Sequence, residues 1–330
     1  MLRAQYTARG PVPADVIAAV EFMLPALTEG QALLQVLAAP INPSDVLTLT
    51  GEYGMLPPLP AVGGNEGVGK VVELGSNTTH PAIGTTVLLP VGGGTWATHV
   101  VADAKKLMPL PADADPQQLA MLTVNPPTAL LLLRDFVKLE PGDWVIQNGA
   151  NSAVGGYLNQ IARLKGYRTV SVVRRESAVA GVMAEGGDIV LVDGPDLNRR
   201  VAAATGKAKI RLAIDCVAGA STDRLAGCLA VGGTLVNYGR MSGESCQVAP
   251  GNFVFKDVTL KGFWLLFWFQ KATPEDQKAV FGECAQLVAQ GKLKARVAAT
   301  FDVREIKAAV TLAASGERDG KVLVVPKAQG

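Results

Sequence analysis

The sequence predicts an α/β protein: a compact β-rich domain followed by a doubly wound parallel sheet. Three observations carry this expectation. The chain has 330 residues, enough for about two domains. Between residues 32 and 134, short apolar runs are cut repeatedly by Gly and Pro. After Trp144 the pattern changes to apolar runs of strand length alternating with helical segments.

The elements follow in chain order. Residues 32–37, 67–74, 86–89 and 98–101 read as strands of the first domain, and residues 117–122 and 128–136 as helices at its end. Residues 144–147 read as a buried strand, then a Gly-containing turn, a helix over 153–165 and a strand over 169–173. The alternation continues through 179–185, 189–192, 199–204, 212–216 and 222–229, and closes at 234–238. Residues 276–290 read as a further helix, and 321–326 as a late strand that rejoins the first domain. The expected division is therefore 1–123 completed by 271–330 for one domain, and 124–270 for the other. No internal repeat or low-complexity tract is present.

Charge and composition exclude some classes of function. A balance of 31 basic and 29 acidic residues gives no global reason to bind nucleic acid or a membrane surface. The four cysteines, all at or beyond Cys216, form no CxxC pair and read as reduced thiols. The first ten residues have no apolar signal core, and the most apolar window, 263–269, is far too short to span a bilayer. A soluble, cytoplasmic protein without a targeting peptide is expected.

The first chemical signal is the turn Asn148-Gly149-Ala150-Asn151-Ser152-Ala153-Val154-Gly155. It is not a GxGxxG fingerprint, but its physics suits a dinucleotide. Gly149 allows a tight turn, small side chains let a pyrophosphate approach the helix N-terminus, and Gly155 and Gly156 allow close helix–sheet packing. An ordinary capped βα turn would look similar. The next strand narrows the choice. An NAD site usually places an acidic residue at its end, whereas here the strand runs into Arg174-Arg175, followed by Glu176. Two guanidinium groups suit a 2′-phosphate, so NADPH is the expected cofactor; the competing reading is a solvated basic turn.

A catalytic zinc is not expected. It would need three ligands, usually Cys or His, and no Cys precedes Cys216. His80 reads as a loop residue and His99 as a strand residue, and Asp45 with Glu66 offers only two carboxylates.

Taken in order, several motifs become recognisable: Ala39 to Asp45, Gly51-Glu52-Tyr53-Gly54, Pro60 to Gly67, Gly94-Thr95-Trp96, Val124-Asn125-Pro126, Gln147 to Val154, Phe255-Lys256-Asp257 and Lys261 to Trp264. Together they resemble the mitochondrial-type trans-2-enoyl-CoA/acyl-carrier-protein reductases, zinc-independent members of the medium-chain dehydrogenase/reductase superfamily. Zinc-dependent relatives carry His where Asn65 stands. The resemblance implies a GroES-like, partly open β-barrel catalytic domain, interrupted by a Rossmann domain. It implies an oxidoreductase of fatty-acid and lipid metabolism that transfers hydride from NADPH to the β-carbon of an enoyl thioester. Tyr53 falls on the family's catalytic tyrosine. Asn125, Asn151, Ser152, Ala153, Val154, Arg174, Arg175, Glu176, Tyr238, Gly239, Arg240, Met241, Phe263, Trp264, Leu265, Leu266 and Lys321 fall on cofactor contacts. A homodimer joined through the cofactor domains is also implied.

The residues fit that chemistry. Hydride addition to an α,β-unsaturated thioester produces an enolate, which a protonated phenol can stabilise and protonate. Without the surrounding motif, Tyr53 would read as a half-buried loop aromatic. The run Phe263 to Phe269 reads either as a buried strand or interface plug, or as a wall for the acyl chain. A quinone or enone oxidoreductase of the same superfamily would use the same cofactor site. A non-catalytic NADPH-binding structural or interaction protein would bind cofactor without turnover.

Overall fold

A computed structural model describes residues 1–316 and 318–327 and divides the chain into two compact units. One comprises residues 1–124 with 281–330, the other residues 125–280. The long helix Pro274–Ala289 therefore runs across the division, which falls some ten residues after the expected boundary at 270/271.

The first unit is built on the strand Gln31–Ile41, whose side chains are buried along most of its length. It pairs antiparallel with Val68–Leu74, with His99–Asp103 and, at its far end, with Lys321–Val324. Lys321–Val324 pairs in parallel with Val297–Phe301, so the end of the chain is woven into the sheet that the beginning laid down. A smaller sheet of Leu2–Tyr6, Ile17–Glu21 and Ala61–Val62 packs into the same core. Leu34, Ile41, Val71, Val87, Trp96, Ile306 and Val322 form the centre of that core. Burial on both faces explains why Gln31–Ile41 is apolar at most positions rather than at alternate ones.

The second unit is a six-stranded parallel sheet. Its order is Ile189–Val192, Arg168–Val173, Trp144–Gln147, Leu212–Asp215, Thr234–Asn237 and Thr259–Gly262. The order reverses beside Trp144–Gln147, and in such sheets the crevice at the carboxyl ends of the strands at that point receives ligands. Two differences from the sequence reading stand out. Residues 263–269 are no buried strand: Thr259–Gly262 is the strand, and Leu265–Lys271 is a helix with no fully buried residue. Seven consecutive apolar residues carry no period, so neither type of element is marked. Gly156 faces the Glu185 carboxylate of a neighbouring helix rather than the sheet.

Trp96 shows how tightly the first unit is packed. It is fully buried, and its Nε1 donates to the Pro40 carbonyl at 3.1 Å. Gly63 lies against the ring, where an added Cβ would stand 2.3 Å from Cε3. Gly63→Ala is therefore expected to cost about 1–3 kcal/mol by overpacking, read as a lower urea midpoint by tryptophan fluorescence. An unchanged midpoint would mean that the ring moves freely.

Candidate functional site

In the second unit, Trp144–Gln147 delivers the chain to the turn at Asn148. Gly149 has φ +56°, and a Cβ there would lie 2.2 Å from the Cys216 sulfur, so glycine is required both by conformation and by space. Ser152 caps the helix Ala153–Leu164, its hydroxyl accepting from the Gly155 amide at 3.1 Å. Gly155 packs onto the backbone of Ala150. Asn151, Ser152, Ala153 and Val154 remain half-exposed, a surface of small side chains at a helix N-terminus.

Arg168–Val173 ends directly before the two arginines. Arg174 is exposed and Arg175 half-exposed, and neither guanidinium is in an ion pair among the described residues. They are available to an anion, and Glu176 begins the short helix that follows. The segment Tyr238–Met241 lies against the same turn. The Tyr238 hydroxyl is hydrogen-bonded to Ser152 and to Cys216, and burial pushes its pKa well up, so it stays neutral. Burial also pushes the Cys216 thiol up to about 12, which makes it inert rather than reactive. Phe263 packs edge-on against Phe136, and Trp264 against Phe267. Asn125 is buried at the start of Asn125–Arg134. The residues fit a dinucleotide: cradle, cap and free cations all occur in one unit.

In the first unit, the helix Pro43–Thr50 ends at Gly51, whose left-handed φ of +86° reverses the chain. The amides of Glu52 and Tyr53 then return to the Leu47 carbonyl, which fixes the backbone of half-buried Tyr53. At the other end of that helix lies a cluster that the sequence reading did not assemble. Asp45 accepts from the Asn42 amide at 2.7 Å and from Asn65 Nδ2 at 2.6 Å. Glu66 accepts from Asn42 Nδ2 at 2.7 Å and from the Val124 amide at 2.9 Å. The buried Lys321 ammonium donates to Asn42 Oδ1. Lys321, which the resemblance assigns to the cofactor, has its ammonium bonded within this cluster.

The cluster bears on zinc. Both carboxylates are taken up by amide donors and lie beside a buried ammonium. His80 is exposed in a loop, and His99 sits in the strand His99–Asp103. No group of three His, Cys, Asp or Glu that could hold a metal ion occurs among the described residues. The donor set does not fit a catalytic zinc.

Comparison with known proteins places this geometry. Residues 28–112 match the family model of the alcohol dehydrogenase GroES-like domain, and residues 177–324 that of the zinc-binding dehydrogenases. The human mitochondrial enoyl-acyl-carrier-protein reductase is 38% identical over 305 residues, covering 90% of this chain and 82% of that protein. The Caenorhabditis elegans counterpart is 39% identical over 270 residues, covering 80% and 77%. The structure of the Etr1p complex with NADP and crotonyl-CoA superposes with a TM-score of 0.88 at 27% identity, over 98% of this chain and 99% of that one. A putative NADPH:quinone reductase from Bacillus thuringiensis gives 0.89 at 28% identity, over 99% of each. The first unit is thus GroES-like and the second Rossmann-like.

The comparisons correct one expectation. The human, nematode, rat and Arabidopsis relatives are all mitochondrial proteins, so the cytoplasmic location does not stand. Its physical basis was too narrow. A missing apolar core argues against a secretory signal and says nothing about mitochondrial addresses, which are amphipathic and basic.

The cluster makes a pH prediction. Burial lifts the Glu66 carboxyl from its ordinary 4.5 to about 7 and Asp45 to about 6, and lowers Lys321 to about 8. Between pH 4.5 and about 7, folded Glu66 keeps a proton that the unfolded chain has released. Stability from this group therefore falls as pH rises through that window. Glu66→Gln lacks the titration. The stability of the unmodified protein minus that of the variant should fall across the window and level off above it, measured as Tm against pH. A difference that rises with pH would contradict the assignment.

Proposed function

The chain belongs to the enoyl-acyl-carrier-protein reductase family, and from that premise we propose how its residues divide the work. The protein is an NADPH-dependent oxidoreductase that reduces trans-2-enoyl thioesters, carried on coenzyme A or acyl carrier protein, to acyl thioesters. What carries the reading is Tyr53, held by the Gly51 turn, in a chain similar to these reductases over most of its length.

Bound NADPH supplies a hydride to the β-carbon of the thioester. The Tyr53 hydroxyl donates a hydrogen bond to the enolate oxygen that develops at the carbonyl, and delivers or relays a proton to the α-carbon. The backbone around Asn151, Ser152, Ala153 and Val154 receives the pyrophosphate at a helix N-terminus. Arg174 and Arg175 hold the 2′-phosphate, with Glu176 beside them. Asn125, Tyr238, Gly239, Arg240, Met241, Phe263, Trp264, Leu265, Leu266 and Lys321 complete the contacts by family likeness. No step is assigned to a metal, because the donor set does not suit one.

Two further points belong to this reading. The protein assembles as a homodimer through the second unit. The edge strand Thr259–Gly262 supports this, being exposed throughout and neighboured in sequence by exposed Val254 and Phe255. A Candida tropicalis relative, the Etr1p/Etr2p pair, is a heterodimer. The rival substrate class is a quinone, favoured by the close superposition of the putative quinone reductase.

Two measurements test the residue roles. NADPH should bind roughly ten- to hundredfold more tightly than NADH, the worth of charge-assisted contacts to the 2′-phosphate. Arg174→Ala should narrow the gap, and equal affinities for the two cofactors would refute the assignment. Tyr53→Phe keeps the ring and removes the hydroxyl. Single-turnover hydride transfer to crotonyl-CoA should fall on the order of a hundred- to a thousandfold, with NADPH affinity nearly unchanged. An unimpaired rate would make Tyr53 a packing residue.

A further inference from the structure

Asp215 ends the strand Leu212–Asp215 and has no solvent exposure. Its carboxylate accepts five hydrogen bonds. Oδ1 takes Asn148 Nδ2 at 2.6 Å and the amides of Val217 and Ala218 at 2.9 and 3.0 Å. Oδ2 takes Thr222 Oγ1 at 2.7 Å and Asn237 Nδ2 at 3.1 Å. Among the described residues no cation pairs with it. A buried carboxylate without a counter-charge is costly unless its acceptor sites are filled, and here neutral donors from four places in the chain fill them.

Those donors lie at the edges of the cofactor segments. Asn148 opens the turn that leads to Asn151–Val154, and its Oδ1 accepts from the Cys216 amide at 2.8 Å. Asn237 also donates to the Gly239 carbonyl at 2.9 Å, inside the second segment. The amides of Met241 and Ser242 are zipped to the carbonyls of Cys216 and Val217 at 3.0 and 2.9 Å. Ala218, a non-glycine residue at φ +65°, is caught in that left-handed conformation while its amide donates to Asp215. Gly149 in turn rests on the Cys216 sulfur.

We propose that Asp215 is a positioning residue of the cofactor site. One carboxylate sets the spacing between the pyrophosphate turn after Asn148 and the Tyr238–Met241 segment, and so holds both for the dinucleotide. The proposal rests on the reading of these segments as the NADPH site, and it adds a residue that touches no cofactor itself.

Asp215→Asn tests it. The amide keeps the shape but turns one acceptor oxygen into a donor that faces donors. NADPH is titrated by fluorescence, with stoichiometry and Kd fitted separately. The expected result is one site per chain with Kd raised about tenfold or more, and a KM for NADPH that rises by more than kcat falls with crotonyl-CoA. Asn237→Ala is a milder companion, removing the half-exposed amide that joins Asp215 to the Gly239 carbonyl, and should weaken binding about threefold or more at full stoichiometry. It decides the matter if Asp215→Asn does not fold. Unchanged Kd, whether the stoichiometry holds or drops, would show a residue that only supports the fold and would overturn the proposal. NADPH binding by the unmodified protein without reduction of crotonyl-CoA would instead refute the enoyl reductase reading and leave the Asp215 comparison standing.

Discussion

A lysine ammonium buried beside two carboxylates organises the first unit. Lys321 comes from the last strand, Asn42 from the cap of Pro43–Thr50, and Glu66 lies between, with its second oxygen on the Val124 amide. Four distant stretches of chain meet there. Their pairing has a price in desolvation, and removing one partner from such a group typically costs about 3–5 kcal/mol, since the others are left buried and uncompensated. The same helix that is capped in the cluster ends at Gly51 and presents Tyr53. The hydroxyl proposed as the proton donor therefore follows directly on a helix whose base is fixed, as a positioned acid requires.

The second unit solves a similar problem with neutral donors. Asp215 and Asp193 both lie at strand ends. Asp193 is answered by the Arg224 guanidinium through two bonds of 2.6 Å and by Ser221, whose hydroxyl also accepts from Asn148. A continuous polar chain thus crosses the carboxyl ends of the sheet from Arg224 to Asn237. These polar groups are buried where the strand order reverses, beside the segments proposed to hold the dinucleotide. None of the buried side-chain nitrogens and oxygens in that chain is left without a partner, which is the condition for such a network to stabilise rather than weaken a fold.

Much of this was legible in the sequence for identifiable reasons. The parallel sheet shows because its strands are short apolar runs spaced by helices. Gly149 shows because only glycine follows a buried strand into so tight a turn. The arginine pair shows because it stands where an acidic residue would mark NAD. Asp215 did not show: one aspartate after an apolar run has no pattern, and its partners lie at 148, 217, 218, 222 and 237. The buried cluster was half visible, since Asp45 and Glu66 were noticed, but only folding brings Lys321 to Asn42. The helix Leu265–Lys271 was hidden because its first five residues are all apolar and show no period. Val297–Phe301 escaped notice because its alternating half-buried pattern is only five residues long.

On the proposed mechanism this chain reduces an enoyl thioester with NADPH and a tyrosine hydroxyl, without a metal. The direct measurement is kcat/KM for crotonyl-CoA and for a quinone, each with NADPH, on protein dialysed against EDTA. Crotonyl-CoA is expected to be turned over much faster than the quinone, and added zinc to change nothing. Faster reduction of the quinone, or crotonyl-CoA turnover that appears only when zinc is restored, would contradict it.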